Sequence, residues 1–318
     1  MADLGIGMVG LGVHARRAHI DHLGGLPARL AAVHDTDAAK MADFPAARAH
    51  AGEADLIGDP GVDAVMVMTP DRFHVRTALA SLRAGKHCFV EKPVIDRSGD
   101  EGLLHEAIAV ARAGGLVLTT CHPRRFDRPF LWLRDNLDGL HDALGAALEF
   151  RFDFSYAMPR PGTAGHHRSL LLDHFGHEVD LMHYLFGRRP FDATRLCDGD
   201  DRYHVVGMRD DGMAFSFSGT RMLRQPVYPE ACWVRFARGE VSMDMQSGIA
   251  RVTDREVGTT REERCGRTDY EGRFSAVNRV FVDAALGLGA DYLEAEDLIV
   301  NNLSAVSLAE TGTYRWGG

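Results

Sequence analysis

Gly10-Leu11-Gly12-Val13-His14-Ala15 stands near the start of a chain of 318 residues and fits the pattern GxGxxA. In such a loop the first glycine permits a tight turn. The second lets the backbone approach a pyrophosphate, and the small Ala15 allows a helix to pack close on a strand. Val13 and His14 open the following helix, whose free N–H groups and positive dipole end favour phosphate. Asp35 follows roughly twenty residues later, where a ribose-binding carboxylate is expected. A carboxylate there accepts from the adenosine 2′-hydroxyl and repels a 2′-phosphate. The next residues, Thr36 and Asp37, supply no Arg or Lys for that phosphate. Together these residues read as a dinucleotide loop that takes NAD(H) rather than NADP(H).

A second group could move protons. Asp173 and His177 are four apart, so on a helix they share one face, and a carboxylate beside an imidazole fixes its tautomer and stabilises its protonated form. His is also the side chain with an ordinary pKa near neutrality. Lys92 stands just past an apolar run, at the carboxyl end of a predicted strand. Only Lys40, Lys86 and Lys92 are lysines among the 36 basic residues. A genomic bias toward arginine accounts for the total. At Lys92 an ammonium can donate to one oxygen and exchange a proton, which a guanidinium cannot. Taken singly, a lysine after a strand is a solvated turn, and an Asp–His pair is a surface pair. Their occurrence behind a phosphate loop is what points to chemistry.

The elements that would position these groups alternate. Strands are expected at Leu4–Val9, Leu30–Val33, Asp63–Met68, His87–Val90 and Leu116–Cys121. Helices are expected at about Val13–Leu23, from Asp71 as cap to Ala84, and at about Asp100–Ala113. Apolar strands between amphipathic helices imply a doubly wound parallel sheet, a Rossmann-type domain over 1–121. The period then changes to two: Leu148, Phe150, Phe152, Phe154 and Tyr156 alternate with polar residues, and similar runs recur at 213–218, 232–236 and 241–246. Residues 122–318 therefore read as a second α/β domain on an open, largely antiparallel sheet. Its helices are expected at Leu170–Phe186, Phe274–Leu286 and Ala295–Thr311, and the last of them can pack back on the first domain.

Composition excludes several classes. Asp plus Glu is 45, the net charge is −9, and a nucleic-acid binder needs a concentrated basic face instead. No run of about 18 apolar residues suggests a membrane span. Five scattered cysteines without a CxxC pair read as reduced thiols in the cytoplasm. His166, His167, His174, His177 and His183 cluster, but no HExxH spacing occurs and no Cys joins them, so no metal is expected.

From Val62 through Thr69-Pro70, His74, Ala84-Gly85-Lys86-His87 and Glu91-Lys92-Pro93, the chain resembles the glucose–fructose oxidoreductase, inositol dehydrogenase and MocA family. The later run Asp173-His174-Phe175-Gly176-His177-Glu178-Val179-Asp180, with Tyr184-Leu185-Phe186-Gly187, resembles that family's second-domain signature. The resemblance spans essentially the whole chain. It implies nicotinamide-dependent oxidation or reduction of a carbinol or ketone on a sugar, cyclitol or aminocyclitol, and a homodimer or homotetramer. By position it implies that Lys92 is the active-site lysine, that Asp173 and His177 are the acid–base pair, and that Thr69, Pro70, His74, Glu91 and Lys92 line the cofactor cleft. His174 falls where substrate is often contacted, and Tyr156 opens a loop rich in Pro, Gly, His and Arg. His122, Arg124 and Arg125 follow the last Rossmann strand; an arginine there binds substrate or forms an ion pair. Ser169-Leu170-Leu171-Leu172 replaces the glycine-rich run of many members. A lyase or glycosidase with transient redox would turn over without accumulating NADH, and a turnover-free dinucleotide sensor would lack Lys92 or His177. A cis Lys92–Pro93 bond is compatible with the motif.

Overall fold

The computed structural model describes residues 3–157, 169–197, 199–223, 230–289 and 295–316. The chain divides into two compact units, residues 1–123 with 271–302 and residues 124–270 with 303–318.

In the first unit, strands β1 (Leu4–Val9), β2 (Ala28–His34), β3 (Arg48–Ala49), β4 (Ala64–Val67), β5 (His87–Val90) and β6 (Leu118–Thr120) form one sheet in the order β3-β2-β1-β4-β5-β6. Every pair is parallel. All residues of β1 and β4 are buried, as expected of strands covered on both faces. Strand order reverses between β1 and β4, the switch point where open α/β sheets bind ligands at the carboxyl ends of their strands. Helices α1 (Ala38–Met41), α2 (Glu53–Ile57), α3 (His74–Arg83) and α4 (Glu101–Gly114) connect the strands.

Two helical expectations change in form. The segment after the phosphate loop is not one regular helix. Ala15–His19 is a π-helical turn, and Ile20–His22 a 3-10 turn. The helix expected from Asp71 is entered through a 3-10 turn, Asp71–Phe73, with Phe73 at the N-cap of α3.

The second unit holds α5 (Arg128–Leu144), β7 (Ala147–Ala157), α6 (Leu170–Phe186) and strands β8 (Phe191–Arg195), β9 (Arg202–Arg209), β10 (Ala214–Leu223), β11 (Glu230–Phe236), β12 (Gly239–Asp244), β13 (Ile249–Asp254), β14 (Thr259–Arg264) and β15 (Thr313–Arg315). Their nine-stranded sheet runs β14-β13-β12-β11-β7-β10-β9-β8-β15. Only β7 and β10 pair in parallel; the other pairs are antiparallel. The period of two is visible in β7, where Phe150, Phe152 and Phe154 are buried, although Leu148 at its start is exposed. Phe150 meets Phe217 edge to face at 5.4 Å, and Phe175 of α6 packs on Phe217 and Tyr203. Burial of these aromatics dominates the core of this unit.

The chain then re-enters the first unit through α7 (Tyr270–Ala285) and the start of α8 (Ala295–Thr311). Two buried asparagines anchor it. Asn278 donates to the carbonyls of Ala18 and Phe274, both at 2.8 Å. Asn302 accepts from Val94 N–H at 2.7 Å. Among the described residues no helix is long and apolar enough to cross a membrane.

Candidate cofactor and active site

The carboxyl ends of β1, β2 and β4 open on a cavity of about 660 Å³, within the size range of small-molecule sites. Gly10, Gly12, Asp35 and Thr69 are in its wall. Gly10 has φ +94°, and a Cβ there would lie 2.6 Å from the carbonyl oxygen of Met68, so the turn demands glycine. At Gly12 nothing lies within 4 Å of where a Cβ would be, which leaves the backbone open to an approaching ligand. Thr69 Oγ1 is buried without a partner. An open glycine loop, an acid at the end of β2 and an unused hydroxyl fit a dinucleotide.

Asp35 holds the loop from below. Its Oδ2 accepts from Leu11 N–H at 2.8 Å, and its Oδ1 accepts from Asp37 N–H at 2.8 Å. Lys40 Nζ donates to the same two oxygens at 3.2 and 3.4 Å. Burial alone would raise the carboxyl's pKa, but these N–H groups and the ammonium lower it below the ordinary value.

The end of β5 carries a second constellation. His19 Nε2 and His14 Nε2 both reach Glu91 Oε1, at 2.8 and 3.2 Å. The two histidines are five residues apart, and the i→i+5 winding of the π turn is what lines them up. His19 is fully buried, with Nδ1 2.9 Å from Asn278 Oδ1. Burial would raise the Glu91 carboxyl, yet His14 and His19 hold it well below the usual carboxylate range. Glu91 Oε2 accepts from Lys92 N–H at 3.1 Å, and the Lys92–Pro93 bond is cis. His74, also buried, bridges the carbonyls of Pro93 and Thr69 at 2.7 and 2.6 Å. Asn302 holds the backbone just beyond, at Val94. His122 Nε2 lies 3.4 Å from Asn301 Nδ2.

In the second unit, α6 carries Asp173, His174 and His177 on its first two turns, and both histidines are buried. His174 stacks on Phe154 with ring centres 3.6 Å apart and meets the His177 ring edge-on at 5.2 Å. Arg124 Nη2 donates to His174 Nε2 at 3.2 Å, so the proton sits on Nδ1, which donates to Glu178 Oε1 at 2.7 Å. Tyr203 OH also donates to Glu178 Oε1. Burial and the Glu178 carboxylate push the Tyr203 phenol up. Arg124 grips both Glu230 oxygens at 2.9 Å and is held charged by them. Arg125 makes a matching two-point pair with Asp180, at 2.8 and 2.7 Å.

Residues 4–119 match the model of an oxidoreductase family with an NAD-binding Rossmann fold, that of glucose–fructose oxidoreductase, inositol dehydrogenase and MocA. Over 282 residues the chain is 27% identical to a 1,5-anhydro-D-fructose reductase of Ensifer adhaerens, covering 81% of this chain and 80% of that protein. It is 33% identical to inositol 2-dehydrogenase 2 of Saccharopolyspora erythraea over 201 residues, 60% of this chain and 56% of that one. Over residues 4–119 the chain carries this oxidoreductase family's NAD-binding Rossmann domain. It spans about half the length of most of the curated relatives it matches. Among solved structures, a levoglucosan dehydrogenase in complex with NADH and levoglucosan shares the fold, with a TM-score of 0.81 at 16% identity, covering 96% of this chain and 97% of that one.

The motif residues named from the sequence distribute over both units. Gly10, Gly12, Asp35, Thr69 and Pro70 are gathered around one cavity. His14, Glu91, Lys92 and His74 are tied together at the end of β5. Val13 is exposed on the loop. Asp173, His174, His177 and Arg124 belong to the second unit, Arg124 within an ion pair. The side chain of Tyr156 and residues His166 and His167 lie outside the described residues. Sequence reasoning missed Lys40, Glu178, Tyr203 and Glu230. It also missed the convergence of His14, His19 and Glu91, whose ligand-capable atoms lie within 4.8 Å of one another. Only the five-residue spacing of the two histidines hinted at it.

Proposed function

We propose that the chain is an NAD(H)-dependent oxidoreductase acting on a secondary alcohol or ketone of a sugar, cyclitol or aminocyclitol. Lys92 and His177 are its acid–base groups, and Asp173 is the partner of His177. The observation that carries the reading is the glycine-walled cavity closed at the end of β2 by Asp35. The curated relatives named for inositol and anhydrofructose support the substrate class. Bound nicotinamide supplies or takes up the hydride.

The chain's own residues do the rest. N–H groups of the Gly10–Gly12 loop bind the pyrophosphate, and Asp35 accepts from a ribose hydroxyl. The Lys92 ammonium donates to the substrate oxygen and stabilises charge as it develops there. His177 exchanges the carbinol proton near neutral pH. The proposed setting is the cytoplasm and the proposed assembly a homodimer or homotetramer.

A panel of cyclitols, aldoses and amino sugars with NAD, followed by NADH absorbance, tests this, with Lys92→Ala and His177→Ala as controls. Turnover on at least one polyol that both substitutions abolish is the expected result. Turnover that survives both would sink the mechanism.

A further inference from the structure

Lys40 is five residues beyond Asp35, outside the stretch from which cofactor choice is usually read. The fold brings it back. Asp35 Oδ1 accepts from Asp37 N–H, and Asp37 in turn caps the short helix α1 by accepting from Ala39 N–H at 3.1 Å. That tight reversal aims the Lys40 stem at the Asp35 carboxylate and into the wall of the same cavity. The acid that should repel a 2′-phosphate therefore carries its own counter-ion.

We propose that Asp35 and Lys40 form an exchangeable pair that lets the adenosine end of the cavity take NADP(H) as well as NAD(H). The proposal rests on the dinucleotide reading above. Two features make the exchange feasible. Asp35 is anchored by two backbone N–H groups, so it stays in place when Lys40 leaves. Lys40 is 40% exposed and, among the described residues, its ammonium is held by this carboxylate alone, on a long flexible stem. With NAD(H), the ribose 2′-hydroxyl donates to Asp35 and Lys40 remains the counter-ion. With NADP(H), the ammonium turns from the carboxylate to a phosphate oxygen. Arg72 lines the cavity as a second cation, its guanidinium 4.6 Å from the Phe73 ring centre. Glu53 is also in the wall and keeps the balance toward NAD(H). A compact ammonium suits such a swing better than a guanidinium, which favours a fixed two-point partner.

Titration of the full chain with NADH and with NADPH, followed by cofactor fluorescence without substrate, tests this. Both cofactors are expected to bind, NADPH the more weakly. Lys40→Met should raise the ratio of NADPH to NADH dissociation constants about tenfold, and Lys40→Arg should move it far less. Added salt should weaken NADPH more than NADH. No NADPH binding at concentrations that saturate NADH would overturn the proposal. So would a Lys40→Met variant whose ratio equals that of the parent. A chain that binds neither cofactor overturns the dinucleotide reading and this inference with it.

Discussion

The two units hold their candidate site residues by different means. In the first, most partners are backbone atoms. Asp35 grips two N–H groups, His74 spans two carbonyls, Asn302 takes Val94 N–H, and the Gly10 turn is set by φ. In the second, side chains hold side chains: Arg124 with Glu230 and His174, His174 with Glu178, Glu178 with Tyr203, and Arg125 with Asp180. Apart from the Asn302 contact, which reaches across 208 residues, such a backbone-built site is a property of short segments and travels with its motif. A site built from buried charges depends on every member being present, because removing one strands another.

The sharpest way to break the second kind is at Arg125. Its partner Asp180 is 1% exposed, so Arg125→Met takes a two-point ion pair away from a buried carboxylate. The expected loss is about 3–5 kcal/mol of unfolding free energy, read by urea denaturation. Pairing it with Asp180→Leu should recover much of that loss, since replacing both partners by apolar groups removes the buried carboxylate as well. If the double variant is no more stable than the single one, the pair does not act as a unit.

The first kind breaks at Gly10. Alanine there must adopt a left-handed backbone and place its Cβ 2.6 Å from Met68 O. Strain and overpacking together cost about 3 kcal/mol, on the order of a hundredfold in NADH affinity if the loop shifts instead of unfolding. Thermal melting and NADH titration separate the two results. Gly12→Ala, with open space at its Cβ, should leave the melting temperature nearly unchanged, so any loss of affinity there reports on the ligand's approach alone.

This difference also explains what was legible in the sequence. The GxGxxA loop, Asp35 and the run Glu91-Lys92-Pro93 were readable because each motif constrains its own backbone. The period-two runs gave away the second sheet, and α6 was bounded to the residue by its apolar periodicity. Partners far along the chain left no local mark. Glu230 lies 106 residues from Arg124, and Glu91 lies 72 from His19. Lys40 was hidden for a different reason: only the turn capped by Asp37 folds it onto Asp35. The π turn escaped because a segment with helical composition does not announce five-residue winding.

A pH scan probes the buried polar interior of the second unit from another side. Burial lowers the pKa of His183, near Phe191 and Trp316, from 6.5 to about 4. The unfolded chain therefore binds a proton between pH 6.5 and 4 that the folded chain refuses. Stability must fall as pH drops through that window, by about 2 kcal/mol at pH 5 relative to pH 8. His183→Phe should remove that part of the slope. A variant with the parent's pH dependence would place the titration elsewhere.

The smallest contrast lies within one contact, where α7 meets the π turn in the first unit. Asn278 is fully buried and its amide serves Ala18 O, Phe274 O and His19 Nδ1. Arg17 Nε and Nη2 both donate to Glu271 Oε1, at 3.2 and 3.0 Å, over the same surface, but both side chains are more than half exposed. Solvent screens that pair and side-chain entropy offsets it, so Arg17→Ala should cost less than about 0.5 kcal/mol, and less still in high salt. Asn278→Ala removes the amide that serves Ala18 O and His19 Nδ1 in a dry interior and should cost about 2 kcal/mol. Because Asn278 orients His19, and His19 holds Glu91, that variant should also weaken NADH binding, whereas Arg17→Ala should not. Equal effects from the two would mean that the exposed charges, not the buried amide, hold α7 to the cofactor loop.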